Sequence, residues 1–272
     1  MKQRLSQLPS PALAGVVREK NARGAIAEIT NCTYDGATMI DLHLPCLESM
    51  DVETLGRIIS ASKLPVLALN YTDSIDFPDP EAKEAERIES FLNAIDAGAA
   101  GIDIQGYTFD PRSKRGFFGE DVYSFMKGNP KEIVTDDEII AKQCELIERV
   151  HSKGAEVLLS CHPGIPMKAE AVVELALFLE KRNPDILKIV TTARNDEDLA
   201  ESIRAMTMLK MEIKTPITYH ANGRAGMLSR IVNPLLGGHI AFCVDRFHED
   251  TVTEQLDLKT AASIVENARK IK

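Results

Sequence analysis

The sequence predicts an α/β protein, a single (β/α)8 barrel covering residues 1–272. Short apolar strands alternate with amphipathic helices from end to end, and eight such units can be counted without a break in composition. The length of 272 residues also suits an α/β barrel, which commonly forms one domain at this size. A doubly wound open sheet is the alternative, but no Gly-x-Gly-x-x-Gly follows the first strand.

The strands are expected, in order, at Pro11–Val17, Thr38–Leu44, Leu64–Leu69 and Gly101–Gln105. The fifth lies in Ala155–Pro163 and the sixth in Asp185–Ala193, followed by Pro216–His220 and His239–Val244. Each is a short apolar run of the kind buried on both faces of a parallel sheet. Between them, apolar residues at three- and four-residue spacing predict helices over Glu81–Ala97, Asp136–Lys153, Lys168–Arg182, Asp196–Met211 and Leu258–Ile271. In the second of these, Ile139, Ile140, Cys144, Ile147 and Val150 form the inner stripe, and Asp51, Thr135 and Asn195 are expected as N-caps. One segment departs from the rhythm. Gly106–Thr135 is too long for an ordinary loop after a strand, and it interleaves Arg112, Lys114 and Arg115 with Phe117, Phe118, Tyr123 and Phe125. It reads equally as a lid over the barrel mouth and as an elaboration packed on a neighbouring subunit.

Composition narrows the function. The values of 44% apolar and 27% charged residues are those of a soluble globular chain. A net charge of −9 argues against a broad nucleic-acid surface. No window holds the ~18 uninterrupted apolar residues of a membrane helix, and Met1–Ser10 lacks the apolar core of a signal peptide. Five cysteines without framework spacing suggest a reducing, cytoplasmic setting.

The chemistry concentrates on Lys188. Ile186, Leu187, Ile189 and Val190 surround one amine in the sixth strand. Burying an ammonium is costly, and a desolvated lysine lowers its pKa, which makes it a candidate Schiff-base nucleophile. A lysine snorkelling from the strand end, or one held in a buried ion pair, fits the same pattern. His162 ends the fifth strand 26 residues earlier, the span of one βαβ unit, so the two side chains are expected at matching ends of adjacent strands. An imidazole there can move the protons that imine chemistry requires. Cys161 beside it should point the other way, into packing. Among the other histidines, His151 reads as solvated, His220 as facing the site rim, His239 as lying at the opposite face and His248 as part of a loop. No pair has zinc-like spacing, so no metal is expected.

These residues resemble the type I 3-dehydroquinate dehydratases, most strongly in the second half of the chain. Ser160-Cys-His162 is similar to the family's strand-five motif, whose histidine is the general acid/base. Asp185-Ile-Leu-Lys188-Ile resembles the strand-six motif, whose lysine forms an imine with the substrate ketone. Gly226-Met-Leu-Ser-Arg230 resembles the segment whose arginine holds the substrate carboxylate. Gln255 and Thr251 fall where the family contacts substrate. The first half departs from the pattern. Asp41-Leu-His43 stands where the family has Glu-x-Arg, and Asn70 where strand three ends in arginine. Asp73 is only an approximate stand-in for the acid that orients the histidine, and Asp103-Ile-Gln105 replaces Asp-x-Glu. Asp41, His43 and Asn70 are therefore the expected but altered substrate contacts, and Asp103 is expected to pair with Lys188 or His43. The resemblance implies a cytoplasmic hydro-lyase of the shikimate pathway. It would act on a small keto-acid without a cofactor, nucleic acid or membrane, and assemble as a homodimer. The altered contacts keep open an imine-forming aldolase or dehydratase on another hydroxylated keto-acid, as well as an inactive ligand-binding relative.

Overall fold

The computed structural model describes residues 3–71, 80–110, 133–247 and 255–271. Residues 111–132 of the Gly106–Thr135 excursion lie outside the described residues, as do Asp73, His248 and Thr251. The strands are β1 (Ala12–Val17), β2 (Met39–His43), β3 (Val66–Leu69), β4 (Gly101–Gln105), β5 (Glu156–Cys161), β6 (Ile186–Thr192), β7 (Ile217–Asn222) and β8 (Ile240–Val244). The helices are α1 (Ala22–Tyr34), α2 (Val52–Ile59), α3 (Pro80–Asp96), α4 (Asp137–Ser152), α5 (Ala169–Glu180), α6 (Asp196–Glu212), α7 (Ser229–Leu235) and α8 (Leu258–Arg269). All eight expected strands are present, with ends shifted by a residue or two.

Every strand pair is parallel, in the order β7-β6-β5-β4-β3-β2-β1-β8. The sheet curls until its ends meet. At the bottom of the seam, the His239 N–H donates to the Ile217 carbonyl at 2.8 Å and the Ile240 N–H to Thr218 Oγ1 at 2.9 Å. At the top, a two-residue strand, β9 (Leu256–Asp257), pairs with β8 at Cys243 and Val244. It was not expected from the sequence, because two residues are too short to show a period. The result is a (β/α)8 barrel in which β9 adds to β8 near the mouth.

Alternation sorts the side chains. Ala12, Ala14, Val16, Met39, Leu67, Leu158, Ile186, Ile240 and Phe242 pack inside the barrel, while the intervening residues face the helices. Cys161 is among the latter, fully buried and turned away from the mouth, as expected. Leu5 and Leu8, from the segment before β1, plug the bottom of the barrel. Gly101 makes room for that plug, since a Cβ there would lie 2.8 Å from Leu5 Cδ1. Arg4 holds the segment in place by ion pairs to Glu156 and Asp185 at 2.7 and 2.8 Å. His239 lies at this face, held by Ser10 Oγ and the Leu5 carbonyl, and burial lowers its pKa. His151, expected to be solvated, is instead partly buried and bonded to Asp185 at 2.7 Å.

Two local expectations are corrected on α4. Its N-cap is Asp136, not Thr135: the Asp136 carboxylate accepts from the Glu138 and Ile139 N–H groups at 2.9 and 3.2 Å. Asp51 and Asn195 do cap their helices. The buried stripe of α4 is Gln143, Leu146, Ile147 and Val150, with Ile139, Ile140 and Cys144 only partly covered. A polar residue displaces the apolar pattern because Gln143 clamps the chain after β4. Its Nε2 donates to the Gly106 and Thr108 carbonyls at 3.0 and 2.8 Å, and its Oε1 accepts from Arg182 at 2.7 Å.

Glu28 of α1 is 7% exposed and its Oε2 accepts from the Arg18 N–H at 3.1 Å. Burial raises its pKa to about 7, with Asp245 and Glu19 adding to the shift. Between the unfolded value of about 4.3 and the folded one, the native state binds the extra proton, so stability falls as pH rises through this window. Glu28→Gln keeps an acceptor and removes the charge. It should stabilise the protein by about 2 kcal/mol at pH 8 and have almost no effect near pH 4. Thermal melts of both proteins across that range check the sign, and an equal shift at every pH would refute it.

Candidate active site

The C-terminal mouth of the barrel holds a cavity of about 210 Å³. Its strand-borne lining continues the inward alternation of each strand, which explains how distant residues converge. Arg18 follows Val16 on β1, and Asp41 and His43 follow Met39 on β2. Leu69 and Tyr71 follow Leu67 at β3, and Lys188 and Val190 follow Ile186 on β6.

Lys188 forms the floor. It is 7% exposed, and its Nζ donates to the Tyr71 hydroxyl at 2.8 Å and to Asp103 Oδ2 at 3.4 Å. The amine also lies 4.5 Å from the centre of the Phe242 ring, so one side of it meets an aromatic face. The ion-pair reading of this lysine therefore holds together with its place in the cavity. Asp103 is fully buried. Burial raises its pKa, against the opposing pull of Lys188 and a hydrogen bond with Ser160. Asp103 pairs with Lys188, whereas His43 Nε2 turns to Asp41 Oδ2 at 3.3 Å.

His162 stands one layer above. Ser160 is in register with Lys188, so His162 lies level with Val190 at the next inward position. Its ring meets Tyr71 edge to face, with centroids 5.2 Å apart and planes at 72°. His220 on β7 also lines the cavity, in register with Val190. Burial lowers its pKa well below the usual value, and Arg230, Lys188 and His162 press the same way. It is thus a neutral imidazole near pH 7, able to exchange hydrogen bonds but adding no charge.

The Gly226–Arg230 segment explains its own motif. A Cβ on Gly226 would lie 2.5 Å from the Ala221 carbonyl oxygen, so this turn requires glycine. Ser229 Oγ donates to the Gly226 carbonyl at 2.6 Å and accepts the Ala221 N–H at 2.9 Å, tying the turn to β7. Arg230 then reaches the cavity wall, where its Nη2 donates to Asn222 Oδ1 at 2.6 Å. Gln255 reaches the same cavity because β9 carries it there.

The structure thus brings together Lys188, His162, Arg230, Gln255, Asp41 and His43. It does not bring Asn70. Residue 70 falls on the outward parity of β3, where its Nδ2 donates to Ser90 Oγ at 3.0 Å and its carbonyl accepts from Arg87. Arg87 is itself fully buried, paired with Glu84 at 2.6 and 2.7 Å, and braces this strand end from the helix layer. The inward residue here is Tyr71, which the sequence reading passed over together with Arg18, Asn222 and Phe242. Counting by twos from Leu67 and Val16 would have found Tyr71 and Arg18. Among the described residues, no group of three or more His, Cys, Asp or Glu side chains is placed to hold a metal ion.

Comparison with known proteins agrees with this geometry. A 3-dehydroquinate dehydratase from Staphylococcus epidermidis is 26% identical over 130 residues, which cover 47% of this chain and 55% of that protein. One from Alkaliphilus oremlandii is 28% identical over 128 residues, 46% of this chain and 49% of the relative. The chain thus spans about half the length of the curated relatives it matches. The crystal structure of a type I 3-dehydroquinate dehydratase from Clostridium difficile, with covalently modified comenic acid, superposes with a TM-score of 0.74 at 16% identity, over 100% of both chains. The Enterococcus faecalis enzyme gives 0.71 at 15% identity, over 97% of this chain and 98% of the other. The family model described as type I 3-dehydroquinase matches residues 125–271, more than half of the sequence and the part that carries His162, Lys188, Arg230 and Gln255. The chain belongs to the type I 3-dehydroquinase family.

Proposed function

We propose that this protein is a hydro-lyase that converts 3-dehydroquinate to 3-dehydroshikimate through a Schiff base on Lys188. The observation that carries the reading is a buried amine at the floor of the barrel mouth, one layer below an imidazole. Lys188 adds to the ring ketone and water leaves, giving a cationic imine that acidifies the neighbouring C–H. His162 takes that proton and delivers it to the departing β-hydroxyl, a syn elimination, and hydrolysis then frees the product. Arg230 offers the planar fork that suits the substrate carboxylate, with Gln255 and the neutral His220 beside it. Asp41 and His43 stand ready for ring hydroxyls. The proposal includes Thr251 as a further substrate contact, cytoplasmic residence, no cofactor and a homodimer. No disulfide joins the five cysteines, which accords with a reducing compartment.

One observation favours a second reading, an imine-forming dehydratase or aldolase on another hydroxylated keto-acid. At β3 the inward residue is a tyrosine and Asn70 is turned away, so among the described residues this strand end lacks the cation expected there. Steady-state kinetics with dehydroquinate and a panel of hydroxylated keto-acids, each with borohydride trapping, separates the two. A kcat/KM for dehydroquinate within the ~10⁴–10⁸ M⁻¹s⁻¹ span of ordinary enzymes is expected. A value orders of magnitude below that, with another keto-acid above it, would replace the substrate and keep the imine.

A further inference from the structure

Tyr71 stands between the amine of Lys188 and the carboxylate of Asp103. Its hydroxyl accepts from Lys188 Nζ at 2.8 Å, donates to Asp103 Oδ2 at 2.8 Å and lies 3.3 Å from Ser160 Oγ. The direct Lys188–Asp103 contact is 3.4 Å, long for a charge-assisted hydrogen bond, which usually measures about 2.7–2.9 Å. The shorter path between the two charges therefore runs through the phenol. The half-buried ring also lines the cavity beside His162, so a carbonyl carbon bonded to Nζ would bring its oxygen within reach of the same hydroxyl.

We propose that Tyr71 is a catalytic acid–base residue of imine formation, relaying protons between Lys188 and Asp103. The inference rests on the Schiff-base reading above and adds a residue to it. In the first step an N–H bond of the Lys188 ammonium breaks and its electron pair stays on nitrogen. The phenol oxygen takes that proton while the phenol's own proton passes to Asp103 Oδ2. Ammonium and carboxylate become amine and carboxylic acid, and the phenol is regenerated. The free amine adds to the ketone, and a proton moves from nitrogen to the new alkoxide, giving a neutral carbinolamine. In the last step the relay reverses. Asp103 gives its proton to the phenol, the phenol protonates the carbinolamine hydroxyl, the C–O bond breaks, and water leaves with those electrons as the nitrogen lone pair forms the iminium. Asp103 suits this duty because burial favours its protonated form, while Lys188 and His162 restrain that preference and Asp41 adds to it. His162 remains the base for the carbon-bound proton, so the relay separates imine formation from elimination.

The test uses Tyr71→Phe in the full chain, which keeps the ring against His162 and removes only the hydroxyl. Rapid-quench borohydride trapping with dehydroquinate reads imine formation, and solvent-deuterium exchange at the carbon next to the imine reads proton removal. Imine formation should slow by roughly 10²-fold, with the same final extent of adduct and with exchange from the formed imine nearly unchanged. Tyr71→Phe/Asp103→Asn should be no slower than the slower single variant, because members of one relay fail as a unit. Adduct formation at the wild-type rate in Tyr71→Phe, or losses that multiply in the double variant, would overturn the relay while leaving the Lys188 imine in place. Failure of the wild-type protein to form any adduct would instead overturn the Schiff-base reading and the relay with it.

Discussion

Lys188→Ala should abolish turnover and leave no adduct after borohydride treatment. Among the described residues, the amine is the only group at the cavity floor that can form the cationic imine. Without that electron sink, His162 would face a far less acidic C–H. A loss of at least about 10⁴-fold is expected, near the scale seen when a nucleophile is removed from a site that still binds substrate. Stability should move as well, because the substitution removes the cation paired with Asp103, which is fully buried and already shifted upward by burial. Without the Lys188 cation, the upward shift of this carboxyl grows, which favours a proton in the native state that the unfolded chain releases near pH 4. The variant should thus be less stable than wild type by about 1–3 kcal/mol at pH 8 and should recover as pH falls. Activity assays, adduct mass and melts at several pH values check both halves. Substantial residual turnover would end the imine mechanism.

How much of this site could be read in the sequence depends on what announces each residue. Lys188 was legible because a charge inside an apolar strand conflicts with burial, and conflicts of that kind mark function. His162 was legible from its spacing to Lys188, and Arg230 and Gln255 from motifs in the half of the chain that the family model covers. All eight strands were visible as apolar runs, which is why the barrel was expected. The misses lie where the strand period runs past the apolar residues. Arg18 follows Val17 and is itself followed by Glu19 and Lys20, so it looks like the start of a charged loop. Its inward position follows only from Ala12, Ala14 and Val16 facing the barrel. At β3, aligning the family's arginine with Asn70 ignored the same count. A slip of one residue sends a side chain to the opposite face of a strand, and it exchanged a helix-facing asparagine for the tyrosine that touches Lys188. β9 was invisible because it exists only through pairing with β8, a tertiary fact with no local pattern.

Replacing His162 with alanine should separate the two halves of the reaction. The imine depends on Lys188 with Tyr71 and Asp103 beside it, and these hydrogen bonds run between the three side chains directly, while the imidazole meets the edge of the Tyr71 ring. Dehydroquinate should therefore still be trapped on Lys188. Elimination needs a base above the imine plane to take the carbon-bound proton and return it to the leaving hydroxyl, and the register places two imidazoles one layer above the amine, His162 on β5 and His220 on β7. His220, on the strand next to that of Lys188, is held neutral by burial and by the cations around it. As an imidazole it can accept a proton, but Arg230 and Lys188 oppose the charge it would gain, so it is a poor substitute. A fall in kcat of about 10³–10⁴-fold is expected, at the upper end of what a single general acid–base supplies. The trapped species should change with it. In wild type the adduct should mix substrate and product imines, whereas in His162→Ala it should be the substrate imine alone, heavier by one water. Adduct of the dehydrated mass forming at the wild-type rate would show that another group abstracts the proton, and His162 would then be a packing partner of Tyr71.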